Sequence, residues 1–171
     1  MIISVGEINS NKNHRVIIEA LSHIEDKKVK YIICGKGNLE EKQLKRVKEL
    51  NLEDRVKFLG FQSDVKSYLL MSDLFAFPSK REGLGLAAIE AMACGLPILT
   101  SNIHGINDYS INGVTGYKCN TTVVSEYEDA IKILKEDEAG WMKMNRNNSV
   151  VSSNYKLECV NEIMHNVYSN I

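Results

Sequence analysis

Short apolar runs alternate with longer stretches of helical spacing along almost the whole chain. The runs 1–5, Val29–Cys34, Val56–Leu59, Leu74–Phe77, Pro97–Thr100 and Tyr117–Cys119 predict buried strands. Between the first two, Val16-Ile17, Ala20-Leu21 and Ile24 recur with helical period and predict a helix over His14–Ile24. Asn38 and Glu41 resemble a capping pair for a helix over 39–50. Ser63 is placed to cap a short helix to Met71, and a helix is expected over Leu84–Cys94. Ser125 and Glu128 form a capping-box pattern for a helix to Lys135, and two further helices cover about 137–148 and 156–169. Residues 101–116 read as a long loop rich in Gly and Asn.

Strands alternating with helices predict an α/β fold, Rossmann-like, with three α/β/α layers and a parallel sheet of about six strands. Parallel strands are buried on both faces, which suits these short, mainly apolar runs. Ligands of such sheets bind beyond the carboxyl ends of the strands. The loops Gly6–Asn13, Gly35–Asn38, Gly60–Ser63 and Pro78–Gly83 are all expected at that edge.

The stretch Pro78–Pro97, P-S-K-R-E-G-L-G-L-A-A-I-E-A-M-A-C-G-L-P, dominates the chain. Its helix is apolar almost all round and stops at Gly95 with Pro97 just beyond. A helix apolar on every face is expected to be buried. Glu90 breaks that pattern on the face of Leu86 and Ile89, and a buried carboxylate needs a partner. One partner is a buried Lys or Arg; the other is a ligand. Gly83 and Gly85 remove side chains at the helix N-terminus, where N–H groups and the helix dipole favour phosphate. A diphosphate there would leave an attached ribose diol near Glu90, and a carboxylate accepts both hydroxyls of a diol. Glu82, at the mouth, either accepts sugar hydroxyls or merely complements the helix dipole.

Length and charge narrow the partners. A chain of 171 residues is expected to be a single domain, 1–171. Hydrophobic content of 44% and charged content of 25% are globular values. A net charge of −1 gives no reason to expect nucleic acid. No apolar stretch is long enough to span a bilayer, and the start of the chain lacks a signal-peptide pattern. Cys34, Cys94, Cys119 and Cys159 are widely separated and read as reduced, in a cytoplasmic protein. The four histidines show no metal-ligand spacing, so no metal is expected.

The central stretch resembles the E-x7-E motif of the retaining family 4 (group 1) glycosyltransferases of GT-B fold, with Glu82 and Glu90 matching its glutamates. P-S-K-R before it, P-I-L-T-S after it and N-G-V-T-G-Y at Asn112–Tyr117 extend the likeness over nearly the whole chain. The resemblance implies the C-terminal, donor-binding half of such an enzyme, with the N-terminal acceptor domain absent. It implies transfer of a hexose from a nucleotide-diphospho-sugar, UDP-linked, to a polysaccharide or lipid-linked acceptor, with no cofactor or metal. In that reading Glu90 binds the ribose, while Lys12 and the backbone of Gly83, Leu84, Gly85 and Leu86 bind the diphosphate. Gly6 and Arg81 complete the donor site, and Glu82 with Lys12 carries the catalytic role. Any membrane association would come through the missing half. The family usually has Arg directly after the glycine matching Gly6; here Glu7 stands there, so either Lys12 carries the diphosphate with Lys80 or Arg81, or the donor is held differently.

Other features carry less. Gly35-Lys36-Gly37-Asn38 lacks the third glycine of a dinucleotide fingerprint, since Glu40 occupies that place. Gly60-Phe61-Gln62 either borders the base or is an ordinary turn. His104 reads as a surface residue, and Tyr109 and Tyr117 as packing. Two alternatives to the transferase half remain: a stand-alone nucleotide-sugar-binding module that needs a partner chain, and a GT-B UDP-sugar epimerase.

Overall fold

The computed structural model describes residues 1–169. Strands β1 (Ile2–Val5), β2 (Tyr31–Cys34), β3 (Val56–Gly60), β4 (Leu74–Phe77), β5 (Ile98–Ser101) and β6 (Gly116–Cys119) form one sheet in the order β3-β2-β1-β4-β5-β6. Every neighbouring pair is parallel, with Ile3 opposite Ile32 on one side of β1 and Phe75 on the other. This is the expected α/β/α architecture. The chain adds β2 and β3 to one side of β1, then crosses back to add β4, β5 and β6 to the other. The reversal opens a crevice at the carboxyl ends of β1 and β4, where doubly wound sheets bind ligands.

Helices cover both faces, as parallel strands require. On one face α1 (His14–Ser22), α2 (Glu40–Glu49) and α5 (Val124–Glu136) bury Val16, Ile17, Val47, Tyr127 and Ile131 against Ile2, Ile33 and Leu99. On the other, α3 (Val65–Leu70) and α4 (Leu86–Ala93) bury Leu69, Ala88 and Met92 against Ile3, Phe75 and Ile98. Helix α6 (Glu138–Ser153) packs on α4, and its buried Asn148 donates to the carbonyls of Leu96 (2.7 Å) and Thr115 (2.9 Å). Helix α7 (Leu157–Ser169) buries no residue among those described.

Several expected caps are replaced. Helix α3 is capped by Asp64, which accepts from the Ser67 amide at 3.2 Å, and not by Ser63. Helices α2 and α5 have Leu39 and Val123 at their N-caps without a side-chain bond, so neither the Asn38–Glu41 nor the Ser125–Glu128 pattern forms. Glu128 instead accepts from Lys132 at 2.6 Å and lies 3.1 Å from His23 Nδ1. An (i, i+4) ion pair within α5 and a contact with His23 at the end of α1 take a carboxylate that the local pattern assigns to the backbone. Helix α6 runs on to Ser153, past the expected 148.

Candidate donor site at the sheet crevice

The loop after β1 and the loop after β4 meet at the crevice and are stitched together largely by asparagines. The Asn11 side chain donates to the Arg81 carbonyl (2.9 Å) and accepts from the Arg81 amide (3.0 Å), while the Lys80 amide donates to the Asn11 carbonyl (2.8 Å). Asn13, at positive φ of 53°, donates to the carbonyls of Pro78 (3.2 Å) and Thr121 (2.9 Å). Asn tolerates this left-handed backbone, which suits it to the last turn before α1. Backbone bonds from Gly6 to Cys34 (3.0 Å), Ile8 to Lys36 (3.0 Å) and Gly35 to Gly60 (2.8 Å) tie in the loops after β2 and β3.

This frame brings Lys12 to Glu82, with Nζ 2.5 Å from Oε1. Both side chains are largely withdrawn from solvent, and the Lys12 ammonium also stands 4.8 Å from the centroid of the Phe77 ring. A cation over an aromatic face is further stabilised. The aliphatic stem of Lys12 lies against Gly6, where an added Cβ would stand 3.3 Å from Lys12 Cε. Glu7 turns along its own loop instead, accepting from Asn9 Nδ2 at 2.9 Å.

Helix α4 begins at Leu86, two residues later than its apolar pattern suggests, because Gly85 takes a left-handed conformation (φ 70°, ψ 57°) at its N-cap. The helix is not buried on every face. Ala88, Ile89, Ala91 and Met92 are buried, but Leu86 is 66% exposed and Glu90, one turn on, is exposed beside it. The expected burial of Glu90 is therefore corrected: its face opens to solvent, so it needs no counter-charge, and it has no ion-pair partner among the described residues. From the true helix start Glu90 lies about 6 Å along the axis at 1.5 Å per residue. Gly83, Leu84 and Arg81 are exposed on the approach to α4, and Gly85 is half-buried.

A residue read only as packing shapes the site. Tyr109 is fully buried, donates to the Leu84 carbonyl at 2.7 Å and packs edge-on to Tyr155 with centroids 5.9 Å apart. Burial, with the Glu82 charge nearby, pushes its phenol up and keeps it protonated as a donor. A Cβ on Gly85 would stand 2.8 Å from both Phe77 Cε1 and Tyr109 Oη. A Cβ on Gly105 would run into the carbonyls of Glu82 and Gly83. The loop after β5 thus backs the loop carrying Glu82, a long-range contact that no local pattern announces. His104 is exposed, as expected.

Beneath the crevice a buried polar chain crosses three strands. Ser4 donates to the Ala76 carbonyl (2.5 Å), Tyr31 to Ser4 Oγ (2.8 Å), and His14 Nδ1 stands 3.1 Å from Tyr31 Oη. Burial lowers the His14 pKa to about 4, so the ring is neutral at neutral pH. Among the described residues no group of three or more His, Cys, Asp or Glu side chains gathers to hold a metal. No described helix is long and apolar enough to cross a membrane.

Known proteins place this arrangement. The family model for glycosyl transferases group 1 matches residues 1–151, and the chain belongs to that family, with the fold of a GT-B half-domain. N-acetyl-alpha-D-glucosaminyl L-malate synthase of Bacillus anthracis is 36% identical over 142 residues, covering 81% of this chain and 37% of that protein. UDP-Gal:alpha-D-GlcNAc-diphosphoundecaprenol alpha-1,3-galactosyltransferase of Escherichia coli is 29% identical over 154 residues, covering 86% of this chain and 40% of that protein. The crystal structure of Anabaena HepE in complex with UDP superimposes with a TM-score of 0.92 at 25% identity, covering 99% of this chain and 49% of that one. The chain spans less than half the length of each of these proteins.

Proposed function

We propose that residues 1–171 form a single donor-binding domain, the C-terminal half of a retaining glycosyltransferase that moves a hexose from a UDP-sugar to a polysaccharide or lipid-linked acceptor in the cytoplasm. The acceptor hydroxyl is presented by an N-terminal domain outside these residues. The observation that carries this reading is the meeting of Lys12 and Glu82 at the crevice, with Glu90 on the open face of α4 just beyond. The similarity to a UDP-bound enzyme and to a galactosyltransferase acting on a diphosphoundecaprenol-linked sugar supports it.

In this mechanism the N–H groups at the start of α4, through Gly83, Leu84, Gly85 and Leu86, and the Lys12 ammonium hold the diphosphate. Gly6 leaves room beside Lys12, and Arg81 adds charge at the rim. Glu90 accepts the ribose hydroxyls. Glu82 accepts hydroxyls of the sugar, which releases Lys12 to the phosphate. The bond from the anomeric carbon to the diphosphate oxygen breaks, and its electron pair leaves with UDP. The acceptor hydroxyl bonds to the anomeric carbon from the same face and gives its proton to the departing diphosphate oxygen. The fixed positive charges stabilise the departing diphosphate, and such preorganised electrostatics is usually the largest catalytic term.

The test is calorimetric titration of the chain with UDP, GDP, ADP and UDP-sugars, in parallel with a Glu90→Ala variant. We expect selective binding of UDP that Glu90→Ala weakens while the melting temperature holds. Equal affinity in the variant removes Glu90 from the site, and no binding of any nucleotide by the wild type removes the donor reading.

A further inference from the structure

A cavity rich in Lys and Arg lies beside the loop after β1. It encloses about 440 Å³ between that loop and α2, and none of its lining residues comes from α4. Its walls carry Arg15, Lys42, Lys45, Arg46 and Lys80 against the single carboxylate of Glu49. The two guanidinium groups are held in place. Glu19 accepts from Arg46 Nε and Nη2, both at 2.8 Å, and from Arg15 Nε at 3.0 Å, and these bonds, led by Arg46, hold its carboxyl below its usual range. Glu49 is engaged by Arg46 Nη1 at 3.1 Å. Lys42, Lys45 and Lys80 make no ion pair among the described residues.

The cavity also has an unmet polar group. Gln43 is only 5% exposed, and its Oε1 is buried without a hydrogen-bond partner. A buried acceptor left unpaired is costly and calls for a donor. A ligand that satisfies both features carries an anionic group for the lysines and a hydroxyl towards which the buried Gln43 amide turns. Lys80 fixes where such a ligand would sit. It lines this cavity, and its amide is bonded to Asn11 in the same stitched loops that carry Lys12 and Glu82.

We propose that this cavity is a binding site for the phosphoryl group of a hydroxylated ligand, of the glycosyl phosphate or glycosyl diphosphate class, separate from the donor diphosphate site. It places the phosphate of an acceptor beside the crevice. The inference rests on the transferase reading only in calling that ligand an acceptor; the anion site itself does not depend on it. The same chemistry is found in a free sugar phosphate and in the headgroup of a lipid-linked diphospho-sugar.

The experiment follows backbone amide shifts of the whole chain during titration with glucose 1-phosphate at saturating UDP, and cosedimentation with phosphatidylcholine vesicles with and without a polyprenyl diphospho-sugar. Each is repeated with Lys42→Glu/Lys45→Glu and with the milder Lys42→Gln/Lys45→Gln. We expect shifts in 9–15 and 42–49 and an affinity about tenfold weaker in the charge-reversed variant, since charge-assisted bonds to phosphate are the strong ones. UDP affinity stays unchanged in both variants. Whichever of the soluble or vesicle ligand shows this dependence names the source. Shifts confined to 84–90, or binding of both ligands that ignores both double variants, overturn the proposal. Loss of UDP binding with the lysine-dependent shifts intact would sink the donor reading and leave this site standing.

Discussion

Lys12 and Glu82 are 70 residues apart in the chain and 2.5 Å apart at Nζ and Oε1. The pair joins the loops after β1 and β4 at the point where the strand order reverses. Its burial is partial, so it is neither a freely screened surface pair nor a fully desolvated one. In the proposed mechanism the pair is exchanged: the diphosphate takes the ammonium and the sugar takes the carboxylate.

That exchange separates the two partners experimentally. Lys12→Ala is expected to weaken UDP about tenfold or more, the scale of a lost charge-assisted hydrogen bond. Glu82→Gln frees the ammonium and is expected to leave UDP binding equal or tighter while flattening the preference between UDP and UDP-sugars. Calorimetry with both ligands reads this directly. Parallel losses for UDP in both variants would show that the pair acts only as a structural clamp.

Tyr109 offers a change of one atom. Tyr109→Phe keeps the buried ring and removes the donor to the Leu84 carbonyl. The expected cost is about 1 kcal/mol of stability, the net worth of one hydrogen bond. Faster amide exchange at 82–86 and a weaker UDP affinity are expected with it. Unchanged exchange in that segment would confine Tyr109 to packing.

Gly105→Ala tests the backing of the same loop from the other side. Its Cβ has no room beside the Glu82 and Gly83 carbonyls, so the loop must move. We expect a lower melting temperature, by several degrees for a loss of about 2 kcal/mol, and loss of UDP binding even though residue 105 touches no proposed ligand atom. A variant that melts and binds like the wild type would contradict the close approach.

His14 sets an acid limit on the fold. Its pKa falls from 6.5 to about 4 on folding, so the unfolded chain binds more protons between those values. Stability contributed by the neutral ring is therefore complete above pH 6.5 and is lost as pH falls towards 4. The shift corresponds to about 3 kcal/mol at 1.36 kcal/mol per unit. Denaturant midpoints of the wild type and of His14→Gln across pH 4–7 check this: the acid-side slope should shrink in the variant, and an unchanged slope would assign it to other groups.

The apolar runs determined the inner strands, because a parallel strand buried on both faces must be apolar at nearly every position; the edge strands β3 and β6 carry Lys57 and Lys118. Their alternation with helical stretches determined the α/β class. The Pro78–Pro97 stretch placed Glu82 in the turn and Glu90 in the helix that follows it, since that spacing is local. Three things lay beyond any local pattern. The strand order decided that Lys12 meets Glu82, because only the crossover from β3 back to β4 brings those loops together. Packing decided that α4 keeps one face open: Leu86 is as apolar as Met92, and only the neighbours of the folded helix make one exposed and the other buried. Tyr109 and Asn11 acquired their roles the same way, through hydrogen bonds to backbone groups 25 and 70 residues distant. Periodicity reports which face of an element is apolar, whereas the site is made of contacts between elements, and those exist only once the sheet has set their positions.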